Sequence, residues 1–233
     1  MNGKARDRIL SSLELALGFP ARDGVHCTPQ SSSATPQWLV SGEQGQDLED
    51  QMASVSTRLH WAKNIQEAHD IIRAILVEHT VKKAVRWEHP LLEVLKVDDL
   101  LSEAGVELYL PTPEGKKFSQ VSAQADLGIT SAEAILVESG TVVMRAQRGQ
   151  ERSTSLIPPV HLAIVTAGQV LQSVRDLAPL FREWIGKEGR LPSAIHLVSG
   201  PSRTADIEFI LILGAHGPKA LHLLVLQEPI RIG

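Results

Sequence analysis

Short apolar runs alternating with amphipathic helical stretches most limit how this chain folds. Val81–Trp87 and Val106–Leu110 read as strands, with the helical pieces of Leu91–Ala104 between them. Ahead of them, Leu48–Ala53 reads as helix and Val55–His60 as an alternating strand. Asn64 then stands where a helix needs a cap, its side-chain oxygen available to the unpaired N–H groups of the first turn. From there to about Glu78, Ile65, Ala68, Ile71, Ile72 and Ile75 recur at the spacing of one buried helix face. Parallel strands need long crossovers, usually helical, so strands separated by helices at this pitch predict a parallel sheet in an α/β fold.

The second half is richer in strands. Ala134–Val137 and Thr141–Arg145 flank Glu138-Ser139-Gly140 as a tight hairpin, and Val160–Thr166 has the unbroken apolar character of a buried strand. Val170–Ile185 reads as one amphipathic helix, and Ile195–Ser199, Ile207–Leu213 and Leu221–Leu226 as strands. The last two are expected to pair across Gly214-Ala215-His216-Gly217-Pro218, and Pro111–Lys117 is expected as a loop. At the start, Ile9, Leu10, Leu13 and Leu17 form a helical face that Gly18 and Pro20 close, and Ala21 to about Gly45 is a Ser-, Pro- and Gln-rich linker. The expected organisation is therefore a helical arm and linker over 1–46 and an α/β domain over 47–233.

Composition removes several classes of function. With 43% hydrophobic and 21% charged residues among 233, the chain has the make-up of a globular protein. A formal net charge of −4 and 4% aromatic residues give no basic, base-stacking surface for nucleic acid. The one cysteine, Cys27, cannot form an internal disulfide or supply the several thiolates of an iron–sulfur cluster. No signal-peptide core or membrane-length apolar run is present, so the expected location is the cytoplasm. His-Glu-x-x-His, paired cysteines, the EF-hand loop, Gly-x-Gly-x-x-Gly and the P-loop are all missing, so no metal or nucleotide motif is read in this chain.

Polar residues cluster where strands end, which is where open α/β sheets bind ligands. Ser199-Gly200-Pro201-Ser202-Arg203-Thr204-Ala205-Asp206-Ile207-Glu208 follows an apolar strand and crowds hydroxyls, a guanidinium and carboxylates together. Arg203 offers a planar fork for a carboxylate, beside the hydroxyls of Ser202 and Thr204. The competing reading is a helix start capped by Ser202 or Thr204. Asp126-Leu127-Gly128-Ile129-Thr130, Glu138-Ser139-Gly140-Thr141, Pro158-Pro159-Val160-His161 and the His216-Gly217 turn are the other clusters. Glu138 can serve as nucleophile, base or hydrogen-bond acceptor, or stand as a solvated turn residue. His161 and His216 can act as acid or base near neutral pH, or stay structural; His222, within an apolar strand, reads as structural.

In order and spacing across 121–226, these motifs resemble the LUD domain, or lactate-utilisation protein C (LutC/YkgG), family. The resemblance rests on Asp126–Thr130, Ala134–Thr141, Ser155–His161, Ser199–Glu208, Gly214–Pro218 and Leu221-His222. It implies a three-layer α/β/α, open and mostly parallel sheet, grouped with glucosamine-phosphate deaminase, ribose-phosphate isomerase and the CoA transferases. It also implies a part in oxidising L-lactate to pyruvate, as one component of a three-protein system whose other members carry iron–sulfur clusters. On that reading Arg203 grips the substrate carboxylate, Ser202 and Thr204 assist, and His161 or His216 approaches the 2-hydroxyl. Gly128, Thr130, Ser139, Gly140, Thr141, Ser199, Gly200, Asp206 and Gly217 complete the expected binding set. Two alternatives stay open: a CoA-transferase-like enzyme in which Glu138 forms an acyl intermediate, and a lactate-sensing module without chemistry of its own.

Overall fold

A computed structural model describes residues 42–111, 115–188, 192–201, 203–205, 211–213 and 217–228. The N-terminal arm and most of the linker lie outside them, as do Ser202, Asp206 and the 214–216 part of the last turn. In chain order the elements begin with α1 (Gly42–Ser54), β1 (Thr57–Ala62), α2 (Ile65–Glu78), β2 (Lys83–Arg86), α3 (Pro90–Val94), α4 (Val97–Glu103) and β3 (Glu107–Tyr109). Then come α5 (Gly115–Ser122), β4 (Leu127–Thr130), β5 (Ala134–Leu136), β6 (Thr141–Arg145), α6 (Ser153–Leu156), β7 (Val160–Thr166), β8 (Val170–Leu171), α7 (Ala178–Glu188), β9 (Ile195–Val198), β10 (Arg203–Ala205), β11 (Leu211–Leu213) and β12 (Ala220–Leu226).

The main sheet has the order β1-β12-β7-β4-β2-β3, and every neighbouring pair is parallel. Adjacent residues of β2 show how both faces are covered. Ala84 packs into the cluster containing Leu91, Leu95 and Leu101 of the α3–α4 segment, whereas Val85 packs with Phe118 of α5 and Ala125. Successive strand residues point to opposite faces, so helices lie on both sides and the fold is a three-layer α/β/α arrangement. Asn64 caps α2 as expected, its Oδ1 accepting from the Glu67 N–H at 2.9 Å. Arg86, 5% exposed at the end of β2, is held by both carboxylate oxygens of Asp98 at 2.5 and 2.7 Å.

A smaller sheet, β8-β5-β6-β9, lies over the main one. Ile135, Val142, Met144 and Val170 join the main core, while Ala134, Leu136 and Val143 pack with Leu177 and, less deeply buried, Phe181. Thr130 of β4 reaches across to the Met144 sulfur of β6 at 3.7 Å. The β5–β6 pair is the expected hairpin, closed by a 3₁₀ turn over Val137–Ser139.

Four expectations need correction. Val170–Ile185 is not one helix: Val170 pairs parallel with Ile135, a 3₁₀ turn spans Val174–Leu177, and α7 starts only at Ala178. Pro179 explains this, because inside a helix its ring would clash with the Arg175 carbonyl, whereas in the first turn it is tolerated. The Asp176 carboxylate accepting from the Ser173 N–H at 2.8 Å makes a second start signal just before it. Ile207–Leu213 and Leu221–Leu226 are not partners: β11 pairs antiparallel with β10, and β12 enters the main sheet between β1 and β7. The expected loop at Pro111–Lys117 gives way to α5 from Gly115, whose Phe118 buries against Val85. The expected linker likewise ends earlier, because α1 begins at Gly42.

At Gly128 the main sheet meets α6 so closely that a Cβ would overlap the Thr154 carbonyl oxygen. Gly128→Ala is expected to destabilise the fold by about 2 kcal/mol or more, as overpacking against backbone does. A urea midpoint unchanged from the parent would contradict this packing.

Candidate functional site

The structure divides the expected constellation into a buried group and a turn group. In the buried group, Gly128 and His161 are register partners on β4 and β7, and Thr130 lies two residues farther along the same face. The Thr130 hydroxyl and His161 Nε2 are hydrogen-bonded at 2.8 Å. His161 is 1% exposed and Thr130 fully buried, and no hydrogen-bond partner for His161 Nδ1 stands among the described residues. Desolvation pushes the imidazole down to about 3, with the nearby His222 adding to the effect. A ring this deeply buried is neutral at physiological pH and acts here as a hydrogen-bonding partner of Thr130. It is the second residue of β7, at the amino end of that strand, away from the carboxyl edge where a site is expected from sequence.

The turn group forms where the hairpin of the smaller sheet meets the end of β9. The antiparallel register of Val142 with Val198 sets the preceding Thr141 beside the following Ser199. Their hydroxyls are 2.7 Å apart, and Thr141 lies 2.7 Å from the Ser139 hydroxyl on its other side. Thr141 is 3% exposed, Ser139 is half-buried and Ser199 is exposed, so the row has its buried member in the middle and reaches the surface at Ser199. Two glycines permit it. Gly140 has φ +57° and Gly200 φ +89°, conformations that side chains rarely adopt. A Cβ at Gly140 would come within 2.9 Å of the Gln51 carbonyl, and one at Gly200 would overlap that of Val55, so both turns rest on the end of α1.

Glu138 is exposed within the same turn. Its backbone N–H donates to Gln172 O at 3.0 Å and its Oε1 accepts from the Val174 N–H at 2.8 Å, tying the hairpin to the 3₁₀ turn before α7. One carboxylate oxygen is thus taken up in capping that turn. Asp126 is a structural residue. Its carboxylate accepts from the Lys82 and Lys83 N–H groups at 2.9 Å each, locking the starts of β4 and β2 together.

Arg203 and Thr204 lie on β10, opposite Leu213 and Ile212, so this stretch is strand and the helix-start reading is set aside. Gly217 is half-buried before Pro218, and the Lys219 N–H donates to Pro159 O at 2.8 Å, bringing this turn to the amino ends of β7 and β12. His216, Ser202 and Asp206 fall outside the described residues. Met144, whose sulfur meets Thr130 of the buried group, is three residues from Thr141 along β6, a separation of about 10 Å for an extended strand. No helix among the described residues is long and apolar enough to cross a membrane.

Set against known proteins, residues 45–226 match the LUD domain. Lactate utilization protein C of Halalkalibacterium halodurans is 32% identical over 228 residues, covering 96% of this chain and 98% of that protein. Lactate utilization protein C of Bacillus subtilis is 28% identical, covering 94% and 95%. Among solved structures, a DUF162 family protein from Deinococcus radiodurans superposes with a TM-score of 0.56 at 21% identity, covering 79% of this chain and 96% of that one; this likeness supports the fold.

The buried histidine gives a pH dependence of definite sign. An unfolded chain protonates His161 near 6.5, whereas the folded protein resists protonation until about 3. Folding stability is therefore highest above pH 6.5 and falls as the pH drops towards 3, by about 1.4 kcal/mol per unit from this group. Urea unfolding at pH 7 and pH 5 is expected to show the loss, and His161→Gln a shallower slope. Parallel slopes for the two proteins would contradict a buried neutral imidazole.

Proposed function

The chain belongs to the LUD domain family, and we propose that it works in lactate utilisation by binding a small 2-hydroxy carboxylate at the hydroxyl turn. The observation that carries this reading is the Ser139–Thr141–Ser199 row, with contacts of 2.7 Å, in which a buried threonine joins a half-buried serine to an exposed one. Hydroxyls both donate and accept, which suits a ligand with a carboxylate to receive hydrogen bonds and a hydroxyl to give one. The names of the full-length relatives point to the same class of ligand. Arg203, from the strand that follows this turn, is the proposed carboxylate clamp.

Oxidising a 2-hydroxy acid to the 2-keto acid releases two electrons and two protons. With a single cysteine, this chain lacks the thiolates for iron–sulfur clusters, so the electrons are proposed to pass to clusters on partner proteins. The role proposed for this chain is to hold the substrate while those partners accept the electrons.

Calorimetric titration with L-lactate tests the binding site. Thr141→Val is expected to weaken affinity by about three- to tenfold, the worth of an ordinary hydrogen bond, and Arg203→Ala by more than tenfold, as expected for a charge-assisted one. Affinities equal to the parent in both variants would overturn the site. Lactate-dependent dye reduction only when the purified chain is mixed with iron–sulfur partners is expected, and turnover by the chain alone would overturn the division of labour.

A further inference from the structure

On the face of the main sheet turned away from the smaller sheet, four residues from three elements converge. His222 of β12 pairs in register with Leu162, one position out of step with His161, so the two histidines project to opposite faces. Its Nε2 lies 2.9 Å from His79 Nε2 at the C-cap of α2, and its Nδ1 lies 3.0 Å from His60 Nε2 on β1. Glu78, the last residue of α2, brings a carboxylate oxygen to 3.8 Å from His79 Nε2 and is itself paired with Arg58. Among the described residues, Glu78, His79 and His222 are the one trio of potential ligands with all donor atoms within 4.8 Å of one another.

We propose that Glu78, His79 and His222 form a binding site for a divalent transition-metal ion of the zinc type. Imidazole and carboxylate are the donors such borderline ions prefer, at about 2.0–2.2 Å. Two ligands at that distance in a tetrahedral arrangement are about 3.3 Å apart, between the 2.9 and 3.8 Å separations found here. Small side-chain shifts therefore suffice to admit the ion. His60 completes the pattern. A metal-ligating histidine almost always donates its other ring N–H to a fixed acceptor, and His60 Nε2 is placed to accept from His222 Nδ1. Arg58 pairs with the Glu78 oxygen that faces His79, so taking up the ion requires the guanidinium to move to the other carboxylate oxygen.

The backbone favours a cation as well. Glu78 and His79 end a 14-residue helix, where unpaired carbonyls carry partial negative charge. His222 is fully buried, His79 has a side-chain exposure of 18% and Glu78 of 46%. The three protein ligands thus close the inner side of the site and leave a fourth position open outwards, for water or for a donor from another molecule. Bound there, the ion would staple the end of α2 to β12, the second strand of the main sheet. This inference is independent of the ligand proposed for the hydroxyl turn.

Tag-free protein, stripped with a chelator, is titrated with zinc in competition with a chromophoric chelator, and in parallel with cobalt(II) followed by its visible absorption. One equivalent of zinc per chain is expected, together with the intense visible bands of four-coordinate cobalt and a rise in melting temperature on zinc addition. His79→Gln and Glu78→Gln change residues at the surface end of the cluster, so a folded protein is expected from both by circular dichroism. Each is expected to lose on the order of tenfold or more in zinc affinity. Asp70→Asn, an exposed carboxylate elsewhere on α2, is expected to bind as the parent does. Sub-stoichiometric zinc, octahedral cobalt spectra, or unchanged affinity in His79→Gln would each overturn the site and leave the three histidines as a hydrogen-bonded chain.

Discussion

The insertion of β12 between β1 and β7 is the constraint on which the rest of the structure depends. β12, the last strand among the described residues, pairs with β1 on one side and with a strand from the second half on the other. Leu221–Leu226 are buried throughout, and all but His222 of them join the main core. Without this strand the sheet is broken in two and β1, with α2 behind it, loses its place. Pairings this distant in sequence cost loop-closure entropy before they return any stability.

The same insertion decides what is legible in the sequence. Local signals carry through: the Asn64 cap, the span of Val160–Thr166 and the Glu138–Gly140 hairpin all depend on neighbours a few residues away. Legibility ends where the deciding contact is distant or a single residue outweighs a pattern. Leu211–Leu213 is a recognisable strand, but nothing local says that it pairs with Arg203–Ala205 and leaves Leu221–Leu226 to the main sheet. At Val170–Ile185 the apolar spacing suggests a helix, although Pro179 is the stronger signal.

Site residues follow the same division. Ser139, Thr141 and Ser199 each stand out in the sequence, but their contact depends on the β6–β9 register, which only the assembled sheet supplies. His161 is legible as a histidine opening a strand, and its burial beneath the smaller sheet is not. His60, Glu78, His79 and His222 carry no motif, because β12 brings its histidine to His79 across 143 residues of chain and to His60 across 162.

The row of hydroxyls at Ser139, Thr141 and Ser199 has a further property. In each of its two links either oxygen can be the donor, so the row has two complete hydrogen-bond patterns of opposite direction. In one the exposed serine presents a spare proton to what lies beyond it, and in the other a lone pair. Changing between them needs only hydroxyl rotations, with every heavy atom at rest. The exposed end of the row, Ser199, can thus either donate or accept a hydrogen bond, and the choice is made without moving the backbone.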